Sequence, residues 1–223
     1  MPTDANPLIQ NDYRPVPGWS LLVFLAVCIA AYLGLAVLVF FVHPQLATMT
    51  ALGTFFVIGL SGVVVAVAPL GKAAFPALGL RPANWKYPVF GAIGTLVLSV
   101  AVSQLGIEPQ GMKQVLEVVR EPHELVLSLL LLAVLAPIVE ELIFRGLLYG
   151  WVAGRWGGTA GLVVSSLVFA AAHYEPAHIV LVLPLGFLFG WLRRRTDSLL
   201  PSLFSHIVNN GFALLAAVYL PGV

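Results

Sequence analysis

Two adjacent glutamates in an apolar stretch are the first residues of this sequence that could perform chemistry. Glu140 and Glu141 lie in LLAVLAPIVEELIFRGLLYG, residues 131–150, and Arg145 follows them. An ionisable side chain at the centre of a bilayer costs about 2.5–3.5 kcal/mol on insertion scales. Each of these side chains therefore needs a structural or a functional reason to be there.

The spacing of the charges separates the two glutamates. Glu141 and Arg145 are four residues apart with the acid first, which is the favourable order for an ion pair on one helix face. Glu140 is rotated about 100° from Glu141 on a helix of 3.6 residues per turn, so it has no such partner on its own helix. We interpret Glu141 and Arg145 as structural contacts between helices and Glu140 as a functional carboxylate. Pro137 should distort the helix just before the pair.

Two further pairs of polar or aromatic residues repeat the helical spacing of four. His206 and Asn210 share one face of the last apolar segment, and Asn209 points away from them. Phe169 and His173 share a face of an earlier segment. A single histidine in a membrane segment is commonly a packing residue, but two histidines with an asparagine and an unpaired glutamate favour a common site.

A carboxylate, two imidazoles and a carboxamide are sufficient for hydrolysis by an activated water. A rise of about 1.5 Å per residue puts the four groups at overlapping depths, which predicts a pocket in the cytoplasmic half of the bilayer. A glutamate in a pocket that excludes bulk water can act as a base near neutral pH. The asparagine amide and a histidine N–H could donate to the developing oxyanion, an effect of about 10²–10³ in rate per donor.

Other protease chemistries find less support in the sequence. No HExxH zinc motif occurs, and no aspartate lies within an apolar segment. Ser61 in GLSG resembles a rhomboid nucleophile, but small residues in such a segment also let helices pack closely. In rhomboids the histidine and asparagine helix precedes the serine, whereas here it follows. We predict no cofactor, although a His₂Glu zinc site at Glu140, His173 and His206 stays open.

The composition identifies the kind of protein that holds these residues. The chain has 223 residues, of which 60% are hydrophobic and 9% charged, and its mean hydropathy is +0.97. Soluble domains carry about 25% charged residues, so this is an integral membrane protein. The formal net charge of +1 indicates no nucleic-acid partner. Cys28 is the single cysteine, so disulfides play no part.

Apolar segments long enough to cross a bilayer predict an all-α, multi-pass helix bundle. A helix needs about 20 residues to cross the hydrocarbon core, and we count seven such segments. Residues 1–18 are polar and rich in proline, and we read them as a retained tail that precedes a single membrane domain, 19–223. The predicted spans are 19–42, 47–69, 88–106, 125–152, 158–177, 178–193 and 198–220.

The connections between spans predict an interfacial helix and an orientation. Residues 108–124 place apolar and charged side chains on opposite helix faces, as in a helix that lies in the membrane interface. With seven spans, eight basic residues fall on one side of the membrane and two on the other. The positive-inside rule then puts the N-terminus in the cytoplasm. The eight are Arg14, Lys72, Arg81, Lys86, Arg155, Arg193, Arg194 and Arg195, and the two are Lys113 and Arg120.

Three motifs occur in the order in which they are found in a known family. EELIFRG (140–146) matches an EExxxR signature, FAAAH (169–173) an FxxxH signature and HIVNN (206–210) an HxxxN signature. The chain thus resembles the CPBP family of type II CAAX prenyl proteases and bacteriocin-processing proteins, also called Abi proteins. The resemblance covers about 125–220, and the loop LGLRPANWK (78–86) also looks like the family's.

The resemblance implies a glutamate-dependent intramembrane endopeptidase of all-helical fold that forms no covalent acyl intermediate. By position, Glu140 would be the base and His173 its partner in holding the water. The oxyanion donors would be His206 and Asn210. The residues that support the site structurally would be Glu141, Arg145 and Phe169.

The resemblance also implies a substrate class and leaves other functions open. The substrate would be a membrane-associated peptide or protein, with a prenylated CAAX C-terminus as one candidate, and the location the cell membrane of a prokaryote. One alternative is a non-catalytic immunity or scaffold protein that binds a partner through the same pocket. Another is a proton-coupled transporter with Glu140 as the carrier, which the missing inverted repeat disfavours.

Overall fold

The protein is built of α-helices, as the sequence predicts. The structure, a computed structural model, describes residues 16–42, 47–107, 109–110, 113, 116, 119 and 122–220, and side chains in 35–55 lie outside that description. No strand occurs within these residues. The helices are α1 (Gly18–Val42), α2 (Ala47–Val67), α3 (Ala74–Ala77), α4 (Lys86–Ser103), α5 (Pro122–Ser128), α6 (Ala136–Glu141), α7 (Tyr149–Ala171), α8 (Pro176–Thr196) and α9 (Leu200–Tyr219).

A 50-residue helical run, Pro122–Ala171, carries the two glutamates. It joins α5, α6 and α7 through π-helical segments at Leu129–Leu135 and Leu142–Leu148. Pro137 lies in the first turn of α6 and removes one backbone donor. The expected distortion before the glutamates therefore takes the form of a widened π-helical segment. Such segments recur at functional sites.

Five helices of the described part are long and apolar enough to cross a membrane. They are Phe56–Ala77, Lys86–Ser103, Pro122–Ala171, Pro176–Thr196 and Leu200–Tyr219, with Gly18–Gly34 as a shorter apolar helix. The long run is interrupted at Gly157, whose φ of 83° departs from helical geometry. This break separates the predicted fourth and fifth spans, and the total of seven stays a prediction.

One predicted helix boundary is wrong. The fifth span was expected to reach residue 177, but α7 ends at Ala171 and a turn follows. Tyr174 in this turn has a φ of 59°, and Pro176 begins α8 because proline suits the first helical turn. His173 therefore lies in the connection after α7, and not within a helix.

Close packing brings the last helices together around the site. Helix α9 contacts α4, α6, α8 and the segment Leu129–Leu135, and α7 contacts α8. A Cβ atom added at Gly91 of α4 would overlap Ser205 Oγ of α9 and would lie 2.6 Å from Leu192 Cδ1 of α8. Only glycine lets these three helices approach so closely at this level.

A buried charge cluster closes the end of the bundle where α8 meets α9. Arg193 is fully buried, donates from Nε to Arg145 O at 3.0 Å and pairs with Asp197 at 2.8 Å. Asp197 also pairs with Arg81 at 2.8 Å, and Gly79 O accepts the backbone N–H of Leu199. Arg193 is thus a structural residue as well as part of the basic run.

Two predicted features fall largely outside the described residues. Residues 1–15 of the predicted tail are not described, and of the predicted interfacial helix at 108–124 only scattered positions before Pro122 are. The tail, the interfacial helix and the cytoplasmic N-terminus remain predictions.

Candidate active site

The predicted ion pair between Glu141 and Arg145 is present, and a histidine joins it. Arg145 Nη1 lies 3.1 Å from Glu141 Oε1, and both side chains are fully buried. His206 Nδ1 lies 3.1 Å from the same oxygen. Arg145 also donates from Nη2 to Gly186 O at 3.0 Å and lies over the ring of Phe169 at 4.2 Å. These contacts tie α8 and α9 to the helical run that carries Glu141.

Glu140 faces a different environment from its neighbour. Its side chain is 16% exposed where that of Glu141 is fully buried, and its Oε2 lies 3.5 Å from His206 Nε2. The two nitrogens of one imidazole thus face the two adjacent glutamates. The helical rotation between the glutamates, read from the sequence, accounts for this division.

Aromatic rings hold the imidazole of His206 in place. Phe189 stacks on it with ring centroids 4.8 Å apart and an interplanar angle of 24°, and Phe169 contacts it edge-on at 5.6 Å. Phe169 also contacts the ring of His173 at 4.9 Å. Phe169 therefore touches both motif histidines and Arg145, which agrees with its predicted supporting position.

His173 is half-buried, and the last turn of α7 sets the direction of its ring. Its Nδ1 lies 2.9 Å from Phe169 O. A carbonyl oxygen only accepts, so Nδ1 carries the proton of this hydrogen bond, and in the neutral ring Nε2 is left as an acceptor. His178, at the start of α8, packs against His173 with centroids 4.6 Å apart.

The two asparagines of α9 contact different helices and each other, since Asn209 donates from Nδ2 to Asn210 Oδ1 at 3.3 Å. Asn209 Oδ1 accepts hydrogen bonds from Ser99 and, at 3.2 Å, from Thr95, which links α9 to α4. Asn210 donates from Nδ2 to Leu132 O at 3.0 Å. Asn209 is thus a contact between helices, as its direction on the helix indicates, while Asn210 keeps a second N–H.

The four predicted catalytic side chains line one pocket of about 300 Å³. Glu141 and Arg145 are absent from its lining, and so is Ser61. Most of the remaining wall is apolar. The lining consists of Pro109, Leu132, Ala136, Glu140, Phe169, His173, His178, Val182, Leu185, Phe189, His206, Asn209, Asn210, Ala213 and Leu214.

The pocket lies off-centre along the helices. Its wall reaches Pro109 and His178 at the end of the helices opposite the basic residues. At the other end Leu192, Leu199 and Ser202 are fully buried and close the bundle. The pocket lining therefore extends toward the end opposite the basic residues, and the membrane face at which that end lies stays a prediction.

The two alternative chemistries are a zinc site and a serine nucleophile. Among the described residues no group of three or more His, Cys, Asp or Glu side chains is arranged to hold a metal ion. Ser61 is exposed and donates its hydroxyl to Val57 O of its own helix.

Sequence reasoning missed two residues of the site. His178 lines the pocket, and its position beside His173 across a Pro176 turn could have been read from HYEPAH. Phe189 stacks on His206 from α8, and no local pattern distinguishes it from an ordinary packing residue. Their contribution depends on the packing of α8 against α7 and α9.

Comparison with known proteins agrees with the motifs. The family model for type II CAAX prenyl endopeptidase Rce1-like proteins matches residues 122–212. The curated protein "Putative membrane peptidase YdiL" of Bacillus subtilis (strain 168) is 26% identical over 111 residues, 50% of this chain and 44% of that protein. No solved structure matches the chain. Residues 122–212, which contain all three motifs, are thus similar to the Rce1-like type II CAAX prenyl endopeptidases.

Proposed function

We propose that the protein is an intramembrane endopeptidase in which Glu140 activates a water for attack on a peptide bond of a membrane-associated substrate. The observation that carries this proposal is the different placement of two adjacent glutamates. Glu140 lines the pocket together with His173, His206 and Asn210, whereas Glu141 is buried behind it in an ion pair. The Rce1-like family match and the peptidase name of the Bacillus relative support the same class of activity.

Glu140 and His173 would hold the attacking water between them. The Glu140 carboxylate accepts one O–H of the water, and the free Nε2 of the neutral His173 ring accepts the other. The Phe169 carbonyl supports this arrangement, because it keeps the His173 proton on Nδ1. Removal of a proton by a positioned base contributes about 10²–10⁴ in rate.

Asn210 can donate a hydrogen bond to the oxyanion. Its amide group has two N–H bonds, and one of them is used by Leu132 O. The second can donate to the oxygen of the scissile carbonyl as negative charge develops there. His206 is the other predicted donor, and its Nε2 lies beside Glu140 at the same wall of the pocket.

The bonds and protons of the reaction balance without a cofactor. The water loses one proton to Glu140, and its oxygen forms a bond to the carbonyl carbon. When the C–N bond breaks, the protonated Glu140 supplies the proton that the leaving amine needs. The products are a new carboxylic acid, which keeps the second proton of the water and ionises on release, and a free amine, and the carboxylate of Glu140 is restored.

The walls of the pocket favour an uncharged, apolar segment of substrate. Leu132, Val182, Leu185 and Leu214 surround the polar groups, and a charged side chain placed against these apolar residues would lose its hydration. A prenylated C-terminus is one substrate of this kind, and an unmodified apolar peptide is another.

The test is cleavage of peptides by purified protein in detergent, with farnesylated and unprenylated peptides offered side by side. Glu140→Gln should lower kcat by at least about 10²-fold, while the matched variant Glu141→Gln retains measurable cleavage. Both variants are first checked for an unchanged elution volume and thermal midpoint. Unaltered cleavage by Glu140→Gln would overturn the proposal, and dependence on the farnesyl group would identify the substrate class.

A further inference from the structure

One oxygen of Glu141 contacts two groups that the sequence does not connect. Glu141 Oε1 lies 3.1 Å from Arg145 Nη1 and 3.1 Å from His206 Nδ1. All three side chains are buried, with His206 4% exposed at its side chain and the other two fully buried. The ion pair accounts for the contact with Arg145, but it does not require a histidine at the same oxygen.

The contact restricts the protons of His206. A carboxylate paired with arginine is ionised and can only accept hydrogen bonds, so His206 Nδ1 must carry the proton between them. The stacked ring of Phe189 prevents the imidazole from turning freely. In the neutral ring Nε2 is then unprotonated, and it is the nitrogen that lies 3.5 Å from Glu140 Oε2.

We propose that Glu141 is a positioning residue for catalysis: it fixes His206 in the Nδ1–H form and thereby makes Nε2 the site that exchanges a proton with Glu140. This inference rests on the proposed function and goes beyond the supporting place in an ion pair that the motif implies. Glu141 would thus affect the reaction through its hydrogen bond to His206.

His206 can donate a hydrogen bond from Nε2 to the oxyanion only after Nε2 gains a proton. The neutral ring with its proton on Nδ1 has no N–H to offer from Nε2. A proton taken from water by Glu140 and passed to Nε2 produces an imidazolium, whose Nε2–H can donate to the oxyanion. Glu141 stabilises this cation from the other side, as the acid of an acid–histidine pair does. The same proton then returns through Glu140 to the leaving amine.

Two double variants separate positioning from simple structural support. Glu141→Met with Arg145→Met removes the ion pair and also the acceptor for His206. Glu141→Gln with Arg145→Met removes the same ion pair but keeps a carbonyl oxygen for Nδ1–H. Replacement of both partners of a buried pair by neutral side chains of similar size is commonly tolerated. Gly186 O keeps the hydroxyl of Ser166 as a donor at 2.8 Å when Arg145 is gone.

The first measurement is ¹⁵N NMR of histidine-labelled protein in detergent, with the His206 signals assigned through His206→Asn. Wild type and the glutamine double variant should show a protonated Nδ1. The methionine double variant should shift the proton toward Nε2. An equal proton distribution in the two double variants would overturn the proposal.

The second measurement is kcat and KM of the same variants on a peptide that wild type cleaves. Loss of the correct form in an acid–histidine pair lowers kcat by as much as about 10⁴, so the methionine variant should be at least about tenfold slower than the glutamine variant, with similar KM. Equal kcat values would overturn the catalytic part. The NMR measurement needs no turnover. If the protein cleaved no peptide, the proposed function would fail, and the NMR result would still decide whether Glu141 fixes the protonated nitrogen of His206.

Discussion

Removal of the Arg145 guanidinium provides a quantitative test of the buried charge cluster. In Arg145→Met the Glu141 carboxylate stays fully buried and keeps His206 Nδ1 as a partner at 3.1 Å. Breaking a buried ion pair from one side costs about 3–5 kcal/mol. Because His206 still donates and methionine can pack on the ring of Phe169, we expect the lower end, about 3 kcal/mol.

Rescue by a second substitution distinguishes the charge from the lost packing. Glu141→Gln added to Arg145→Met removes the uncompensated charge while it keeps an oxygen for His206, so most of the lost stability should return. For a chain of this size 1 kcal/mol corresponds to about 2–4 °C in Tm, which predicts a decrease of about 6–12 °C for the single variant.

The assay is thermal unfolding of the detergent-solubilised protein, followed by tryptophan fluorescence at fixed detergent concentration. A single variant with unchanged Tm would refute the view that the pair is buried and energetically coupled. A double variant less stable than the single one would show that the cost comes from packing and not from charge.

Four further predictions concern packing and the alternative chemistries. Gly91→Ala should destabilise the protein by about 1–3 kcal/mol, because its Cβ would overlap Ser205 Oγ. Gly34→Ala, with nothing within 4 Å of the added atom, should be neutral or slightly stabilising in the same unfolding assay. Ser61→Ala should leave kcat/KM unchanged within about twofold, since the exposed hydroxyl bonds to Val57 O of its own helix, and a large loss would favour a serine mechanism. Zinc chelators should not inhibit peptide cleavage, and inhibition reversed by added zinc would contradict the donor geometry.

The fold class was predictable because the bilayer limits the choice of structure. In a bilayer, the backbone N–H and C=O groups of a long apolar segment must form hydrogen bonds within the protein, and a helix satisfies all of them within one segment. Helix ends were less predictable: α7 ends at Ala171 and not at 177, because Tyr174 takes a left-handed conformation and Pro176 starts a new helix. Because apolar residues lie on both sides of this turn, the hydropathy pattern does not show where the helix ends.

The parts of the site that lie on single helices were also readable from spacing. The interval of four residues between Glu141 and Arg145 predicts their contact. Successive residues of a helix are rotated by about 100°, which turns Glu140 away from this ion pair. The convergence of His206 on both glutamates is a contact across 65 positions of sequence. Such a contact depends on helix packing, and no periodicity within either helix specifies it.

The opposite positions of the pocket and the basic residues link membrane orientation to the origin of the substrate. The pocket reaches Pro109 and His178, while Leu192 and Leu199 seal the basic end. With the basic end in the cytoplasm, the pocket would receive polypeptide from the outer compartment, such as an exported or surface-anchored segment. With the opposite orientation, the pocket would receive polypeptide from the cytoplasm. The side on which the N-terminus lies therefore determines from which compartment a substrate would reach the pocket.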